Sequence, residues 1–483
     1  MCGIVYLQGL NAHNRIEHCI RKLAHRGPDD EFIVYGNESA LAFCRLSIND
    51  HSINGRQPFQ YGNMFAAING EIYNYKELAQ KFSIPLKGCC DTEILLPLYE
   101  KMGDECIDEL DGFYSAVIVH KNTLTCLRDE MGQKPLFYGK TKTDYFISSE
   151  LKAIQDIVWF EEVPIGLTTI AKKDFSITDH QDIKKKCATK DIMHALNDAV
   201  KKRIPFDGSN FGIFLSGGLD SSIIAAMATK YRDDIHFFSL AEEKSPDFNA
   251  IMDVVSYLNI KNIHFVNLPK NSELDALINK IVYHTESFNP SIISNGLATY
   301  LLAKNARNLG LKVVLSGEGS DELFGGYRYF KQNEDWCSFR NMLLKDMHFT
   351  ELRRIDMCCM ANSIESRCPF LDREVLAISN NLDYENFFRD GNGKSILRDA
   401  FVNLLPRQIV DRKKVSCDVG SGIRGIVVNY LKQNGLTERE NLKQIWSRYN
   451  LGPEDHPYFS RYPAFDEFID KRGDSHCSAI SQP

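Results

Sequence analysis

Residues 211–228 read FGIFLSGGLDSSIIAAMA: an apolar run, a loop of small residues at 216–222, and a second apolar stretch. This pattern predicts a buried strand followed by a tight loop and a helix. Small residues let backbone N–H groups approach phosphate oxygens, and the N-terminus of the following helix adds a favourable dipole. We therefore expect a phosphate-binding loop here, with Asp220 able to carry Mg²⁺ between phosphates.

The segments on either side of this loop alternate between helical and strand patterns. DIMHALNDAVKKRI (191–204) has helical periodicity, and IHFFSL (235–240), IHFVNL (263–268) and KVVL (312–315) predict further strands. Such alternation implies βαβ units on a parallel sheet, in which ligands lie at the carboxyl ends of the strands. A second small-residue loop, LSGEGSDELFGGY (315–327), follows the last of these strands.

The first 160 residues have a different rhythm. Seven short strands are predicted, from GIVYLQG (3–9) to DYFISS (144–149), with helical patterns near residues 14–24 and 91–102. The pattern indicates an α+β fold with a mainly antiparallel sheet.

Between about residues 160 and 190 the pattern weakens into charged sequence. We interpret this stretch as a linker; the alternative is a charged surface excursion of a single domain. The sequence thus predicts two domains, at 1–170 and 190–483, and a chain of 483 residues is too long for one core.

Composition excludes several classes of protein. A net charge of −7 gives no electrostatic reason to expect nucleic acid or an anionic membrane as partner. No apolar run approaches the roughly 20 residues that span a bilayer, and the first residues lack the basic region of a signal peptide. We therefore expect a cytoplasmic protein.

The 14 cysteines include no C-x-x-C pair, which argues against zinc, and the chain is too large to need a disulfide scaffold. Cys2 differs from the rest, because removal of Met1 would leave a thiol and an α-amine on one residue. An α-amino pKa of about 8 lets that amine serve as base for the thiol. Taken alone, a cysteine at position 2 is more often a buried thiol.

Four segments that follow Cys2 change this interpretation. They are HRGPDD (25–30), CRLSIND (44–50), INGEIYNY (68–75) and CDTEILL (90–96). In this order they make residues 2–160 resemble the glutaminase domain of class II glutamine amidotransferases, which are N-terminal nucleophile hydrolases with an α+β sandwich.

This resemblance implies roles for individual residues. Cys2 would be the nucleophile, Asn69 and Gly70 the oxyanion hole, Arg45 the partner of the glutamine α-carboxylate, and Asp91 the partner of its α-ammonium group. Preorganised donors and a planar guanidinium suit these tasks. The alternatives are a type I′ hairpin at Asn69-Gly70 and surface charges at Arg45 and Asp91.

The loop S-G-G-x-D-S-S resembles the pyrophosphatase loop of synthetases that cleave ATP between the α and β phosphates. Together with SGEGSDE, SPDFNA (245–250), SIESRCPFLD (363–372) and RKKVS (412–416), it makes nearly the whole chain similar to the asparagine synthetase family. The second domain would then be an α/β ATP pyrophosphatase of the adenine nucleotide α-hydrolase-like type. Glutamine, ATP, Mg²⁺ and a carboxylate, aspartate by default, would be its substrates and cofactors.

By this resemblance the phosphates are held by Leu215, Ser216, Gly218, Asp220, Ser221 and Ser222; Ser239, Leu240 and Gly317 line the adenosine pocket; and Asp220 and Asp321 bind Mg²⁺. Glu318 would lie near the activated carboxylate. Lys414 would neutralise charge on the phosphates, although the neighbouring Lys413 leaves that assignment open by one position. Glu365 would support the site instead of reacting.

The GNGKS segment at 391–395 is a competing nucleotide motif. A Walker loop needs glycine five places before Gly393, and that position is Phe388, so we interpret Lys394 as part of a helix start.

The sequence leaves open which carboxylate is the acceptor. The family resemblance leads us to expect an arginine for the aspartate α-carboxylate where this chain has Ser294, so another carboxylate, such as a sugar uronate, is the alternative acceptor. In β-lactam synthetases the glutaminase domain has lost its nucleophile, and Cys2 argues against that class of enzyme. The full set of reactive positions argues against a non-catalytic binding protein. The resemblance also implies an internal ammonia tunnel, and a homodimer is a further expectation.

Overall fold

A computed structural model describes residues 2–327, 336–389, 391–432 and 435–460. The chain divides into two compact units. Of the described residues, the first unit comprises 2–185 together with 360–363 and 447–456, and the second comprises those within 186–359, 364–446 and 457–460.

The first unit consists of two antiparallel sheets and four helices. Its strands are β1 (Gly3–Gly9), β2 (Asp30–Tyr35), β3 (Ser39–Arg45), β4 (Phe59–Tyr61), β5 (Met64–Ile72), β6 (Gly112–His120), β7 (Thr123–Arg128), β8 (Phe137–Thr141), β9 (Asp144–Ser148), β10 (Ile157–Glu162), β11 (Gly166–Ala171) and β12 (Ile177–Gln181). Its helices are α1 (Ala12–Arg21), α2 (Tyr75–Lys81), α3 (Leu95–Met102) and α4 (Cys106–Glu109). One sheet has the order β10-β8-β9-β1-β3-β2 and the other the order β12-β11-β7-β6-β5-β4.

Alternating side chains of β6 explain how the layers pack. Val117 points into a core that also contains Ile4 and Phe43 of the first sheet. Its neighbours Ala116 and Ile118 point the other way, into a second core built with α2, α3 and α4. Because successive strand residues face opposite sides, the second sheet is buried on both faces, which confirms the predicted α+β sandwich.

The predicted linker between about 160 and 190 is wrong for residues 166–181. These form β11 and β12, and β11 pairs with β7 along its whole length. The charged sequence misled the prediction because β12 is an exposed edge strand, which needs no apolar face. Residues 182–189 form neither helix nor strand.

The second unit has a parallel sheet flanked by helices. Its strands are β13 (Gly212–Phe214), β14 (His236–Leu240), β15 (Ile263–Val266), β16 (Val313–Leu315) and β17 (Glu365–Arg367), with a small pair β18 (Phe388–Arg389) and β19 (Asn392–Gly393). The helices are α5 (Ile192–Arg203), α6 (Leu219–Ala228), α7 (Phe248–Tyr257), α8 (Asn271–Thr285), α9 (Pro290–Asn308), α10 (Ser320–Phe324), α11 (Trp336–Asp346), α12 (Glu351–Met360), α13 (Arg373–Ser379), α14 (Tyr384–Phe387), α15 (Ser395–Phe401), α16 (Arg407–Val410), α17 (Cys417–Gly420), α18 (Ile423–Leu431), α19 (Glu438–Trp446) and α20 (Pro457–Ser460).

The sheet order β15-β14-β13-β16-β17, with every neighbouring pair parallel, confirms the predicted α/β architecture. The two small-residue loops follow β13 and β16, which are neighbours in the sheet. Both loops therefore leave the same carboxyl edge side by side, where ligands of open α/β sheets bind. None of the described helices combines the length and apolar composition that a bilayer crossing requires.

Leu41→Ala is expected to lower the free energy of unfolding of the first unit by about 2–5 kcal/mol, because truncation leaves a cavity between the sheets. Leu41 is 3% exposed and belongs to the core that both sheets share. Urea unfolding measures the change. Val158→Ala, at a side chain of β10 that is 54% exposed, is the control and should change it by less than about 0.5 kcal/mol. Equal losses in both variants would contradict this placement.

Candidate active sites

Cys2 and Asn69 meet between the two sheets of the first unit. Cys2 is 8% exposed at the start of β1, and its backbone N–H donates to Asn69 Oδ1 at 2.9 Å. Asn69 is fully buried in β5, and its Nδ2 donates to no partner among the described residues. A buried amide donor without an acceptor is costly, so it is available to an oxygen of a bound substrate.

Gly70 follows Asn69 inside β5, where the pair faces Ser115 and Tyr114 of β6. The hairpin alternative for Asn69-Gly70 is therefore excluded. Gly70 has φ of 142°, and a Cβ atom there would lie 2.0 Å from the carbonyl oxygen of Phe113. Only glycine fits this backbone. The main chain at position 70 therefore lies next to Asn69 with no side chain of its own.

Arg45 lies at the end of β3, beside Cys2. Gly3 pairs with Cys44 in an antiparallel ladder. Cys2, which precedes Gly3, and Arg45, which follows Cys44, therefore lie at the same end of the two strands. Arg45 is 5% exposed, and its guanidinium donates to the carbonyl oxygens of Ser52, at 2.9 Å, and Asp50. The surface-charge alternative is thus wrong, because the guanidinium is held in a buried, defined position.

Asp91 is also buried, and it has a partner that no sequence motif indicates. The backbone N–H of Ile72 donates to Asp91 Oδ2 at 2.8 Å, and Asn49 Nδ2 lies 3.4 Å from Asp91 Oδ1. The same Asn49 nitrogen donates to Glu71 Oε1 at 2.9 Å. Two buried carboxylates that share one amide form a site suited to an ammonium group. Glu71 could have been suspected from its place directly after Asn69-Gly70.

A buried charge network lies behind Cys2. Arg26 Nε donates to the Cys2 carbonyl oxygen at 2.9 Å, and Arg26 NH1 binds Glu150 Oε1 at 2.6 Å. Glu150 Oε2 also receives Lys152 at 2.7 Å and His25 at 3.0 Å. Although burial raises it, the charges of Lys152, His25 and Arg26 hold the pKa of Glu150 well below its usual range. The network anchors the backbone that carries the thiol.

The first loop of the second unit is closed by its own hydroxyl groups. Ser221 Oγ accepts from the backbone N–H of Ser216 at 3.2 Å, and Ser222 Oγ donates to the Gly218 carbonyl at 2.7 Å. Gly218 caps the ten-residue helix α6. The loop therefore turns its small residues around a helix N-terminus, which is an arrangement that binds phosphate.

The second loop packs directly on the first. A Cβ atom at Gly317 would lie 3.0 Å from Asp220 Cβ, and Ser320 Oγ donates to Asp220 Oδ1 at 2.7 Å. Leu215 and Ser239 join the neighbouring strands, because Ser239 Oγ donates to the Leu215 carbonyl at 2.6 Å. Leu240 is buried at the end of β14, beside them. The predicted nucleotide residues thus converge on one edge of the sheet.

Lys394 joins the two predicted metal ligands. Its Nζ lies 2.6 Å from Asp220 Oδ2 and 2.6 Å from Asp321 Oδ1, and its side chain is 4% exposed. Lys414 Nζ lies 2.5 Å from Asp321 Oδ2. Lys413 forms no ion pair within the described part of the chain. Burial raises the pKa of Asp321, but Lys394 and Lys414 outweigh it and lower that pKa to about 2, so the carboxylate stays charged.

The interpretation of Lys394 as a helix start was incomplete. Lys394 does cap α15, in a left-handed conformation with φ of 62°, but its side chain belongs to the acidic cluster. No local sequence pattern indicates these contacts, because Asp220 and Asp321 lie 174 and 73 positions before Lys394 in the chain. The lysine directly after the two glycines of the GNGKS segment was the available signal.

Glu318 faces an arginine that the sequence did not single out. Arg354 NH2 lies 2.7 Å from Glu318 Oε1, and Arg354 NH1 donates to Thr299 Oγ1 at 2.9 Å. The two charged side chains are 12% and 22% exposed, so the pair is largely buried. Glu365, by contrast, is fixed in β17 by Arg367 at 2.7 Å, which fits the expected supporting role.

The carboxylates fit Mg²⁺ by their chemistry, since oxygen ligands on one or two aspartates, completed by phosphates, are its usual protein environment. Asp220 and Asp321 already share one positive charge, that of Lys394. Among the described residues no group of three or more His, Cys, Asp or Glu side chains could hold a metal ion unaided. The pair therefore suits a cation that arrives with a nucleotide.

Comparison with known proteins separates the same two halves. A family profile described as a glutamine amidotransferase domain matches residues 1–192, and one described as asparagine synthase matches residues 191–345 and 334–448. Among solved structures, a glutamine phosphoribosylpyrophosphate amidotransferase from B. subtilis superposes with a TM-score of 0.34 at 17% identity, covering 49% of this chain and 65% of that one. So distant a likeness adds nothing to the assignment.

Curated relatives cover both halves together. The probable glutamine-hydrolysing asparagine synthetase of Acanthamoeba polyphaga mimivirus is 35% identical over 86% of this chain and 84% of that protein. Asparagine synthetase B of Escherichia coli strain K12 is 31% identical over 83% of this chain and 78% of that protein, and the enzyme of Zea mays is 30% identical over 95% and 85%. The chain belongs to the family of glutamine-hydrolysing asparagine synthetases.

Proposed function

We propose that this chain makes asparagine from aspartate, ATP and glutamine, releasing AMP, pyrophosphate and glutamate. The observation that carries the proposal is the ion cluster in which Lys394 links Asp220 of the first loop to Asp321 of the second. It gathers two carboxylates and two lysines around loops built for phosphate, which suits cleavage of a nucleotide. The buried Cys2–Asn69 pair supplies a second reaction centre in the same chain.

In the first reaction, the Cys2 thiolate attacks the side-chain amide carbon of glutamine after its proton passes to the α-amine of the processed chain. Asn69 Nδ2 and the backbone N–H of Gly70 stabilise the tetrahedral oxyanion. As the intermediate collapses, the α-ammonium group of Cys2 returns its proton to the departing nitrogen, which leaves as ammonia. The resulting thioester is hydrolysed by water to glutamate and free thiol. Asn69 Nδ2 suits its role because it is a buried donor with no partner among the described residues.

Binding of glutamine uses the buried charges around this centre. The Arg45 guanidinium binds the α-carboxylate through paired hydrogen bonds, and the carboxylates of Asp91 and Glu71 receive the α-ammonium group. The shared contact of both carboxylates with Asn49 supports this pairing.

In the second reaction, an oxygen of the aspartate β-carboxylate attacks the α-phosphorus of ATP, and pyrophosphate leaves. Ammonia then attacks the acyl carbon, loses a proton to Glu318, and AMP departs with the shared oxygen. Lys394 and Lys414 neutralise the charge that accumulates on the phosphates, and contact of Lys414 with Asp321 favours it over Lys413. Mg²⁺, bound by Asp220 and Asp321, would neutralise further phosphate charge.

Pyrophosphate release tests this proposal against other acceptors. The full chain is incubated with Mg-ATP, glutamine and one carboxylate at a time: aspartate, glutamate, or a sugar uronate. Aspartate should stimulate release more than the others. Release that depends on a different carboxylate would replace asparagine synthesis by another amidation. The cytoplasmic location and the homodimer stay predictions of the sequence.

Cys2→Ala is expected to lower glutamine hydrolysis at least about 1,000-fold, because the nucleophile is lost. Synthesis from ammonium chloride should persist, since the second reaction centre lies in the other unit. Glutamate and pyrophosphate release measure the two activities, and Cys89→Ala, at an exposed free thiol of the first unit, is the control. Loss of ammonia-dependent synthesis in a folded Cys2→Ala protein would contradict separate centres.

Lys394→Met is expected to lower ammonia-dependent pyrophosphate release about 100-fold or more, because the charge opposite the phosphates is removed. Lys413→Met removes the exposed lysine next to Lys414 in the sequence. It is the matched control and should retain activity. Thermal unfolding of both variants shows whether a loss of activity reflects a loss of stability. The assignment would be wrong if Lys413→Met lost activity and Lys394→Met kept it.

A further inference from the structure

Asp418 is a buried carboxylate that the proposed chemistry does not use. It lies in α17, is 4% exposed, and receives one hydrogen bond at Oδ2, from the hydroxyl of Ser294 at 2.8 Å. Its other oxygen, Oδ1, accepts no hydrogen bond within the described part of the chain. No described lysine, arginine or histidine forms an ion pair with it. A buried anion with one neutral donor is costly, so its natural partner is a cation.

Ser294 decides which kind of partner Asp418 has in this chain. The family resemblance led us to expect arginine at position 294, which would have given Asp418 a cation from the protein itself. Serine gives it only a hydroxyl, and the negative charge remains available to a ligand. The serine also removes the expected guanidinium for an acceptor carboxylate.

Arg354, on α12, contacts α9 and supplies a guanidinium. It donates to Thr299 of α9, the helix that carries Ser294, and pairs with Glu318. Thr299 follows Ser294 by five positions, which is a rise of about 7.5 Å along α9 and a rotation of about 140° around it. The two contacts therefore lie on successive turns of the same helix.

Cys417 shows that the two charges belong to one neighbourhood. Burial raises the pKa of the Cys417 thiol to about 12, and the charges of Asp247, Asp418, Arg354 and Glu318 also act on this pKa. Arg354 contacts Glu318 directly, and Asp418 follows by four positions Lys414, which contacts Asp321. Both residues therefore belong to the surroundings of the proposed acceptor site.

We propose that Asp418 binds the α-ammonium group of the acceptor and Arg354 its α-carboxylate. The site then selects an α-amino acid whose second carboxylate is the one adenylated. This inference rests on the proposed function. Both residues are specificity-determining, because they hold groups that do not react.

Two analogues of aspartate separate the two contacts. Succinate lacks the α-ammonium group, and β-alanine lacks the α-carboxylate. With Mg-ATP and ammonium chloride, the intact protein should use aspartate at least about 100-fold better than either, measured as kcat/KM for pyrophosphate release. Equal use of succinate and aspartate by the intact protein would overturn the role of Asp418 without any variant.

Asp418→Asn should lower kcat/KM for aspartate about 100-fold and leave that for succinate within about threefold. Its Tm should stay constant or rise, because a buried charge becomes neutral. A purely structural role predicts the opposite, a lowered Tm with both acceptors affected alike. Asp411→Asn, at an exposed aspartate, is the control and should change neither value.

The outcomes distinguish this inference from the proposed function. If the intact protein releases no pyrophosphate with aspartate, both fail. If it does so, and Asp418→Asn keeps the full preference for aspartate over succinate, only the role of Asp418 is overturned.

Discussion

The second unit depends on one interaction: the ammonium group of Lys394 between the carboxylates of Asp220 and Asp321. Each carboxylate follows a different strand, and the two strands are neighbours in the parallel sheet. Two anions so close would repel each other strongly in a buried place, and the lysine makes their proximity stable. The cluster therefore holds the two small-residue loops against each other. Substitution of the lysine removes this structural link and, in the proposed reaction, a partner of the phosphates as well.

The first unit solves a comparable problem with a buried network instead of a single cation. Glu150 draws Arg26, Lys152 and His25 together, and Arg26 fixes the Cys2 carbonyl. The backbone at the start of β1 is thus restrained from behind, while Asn69 contacts it from the facing sheet. Cys2 is thus held at both its N–H and its carbonyl, which gives the proposed nucleophile a defined position.

Much of this organisation could be predicted from local pattern. Short apolar runs separated by turn signals indicated β1, β5 and β6, and the small-residue loops indicated the carboxyl edge of a parallel sheet. Strand β12 could not be recognised, because an exposed edge strand carries no apolar alternation. The role of Lys394 could not be predicted either, because its partners are distant in sequence and the residues around it indicate only a helix start. Asp418 carries no motif at all; its burial and its unused oxygen emerge only from packing.

The central claim is that nitrogen from glutamine reaches a carboxylate activated as an adenylate. One reaction tests it: the full chain with Mg-ATP, [amide-¹⁵N]glutamine and aspartate labelled with ¹⁸O in its β-carboxylate, followed by mass spectrometry of the products. Asparagine should carry ¹⁵N, and AMP should carry one ¹⁸O for each asparagine formed. Release of ADP with ¹⁸O in orthophosphate, or asparagine without ¹⁵N, would contradict the account.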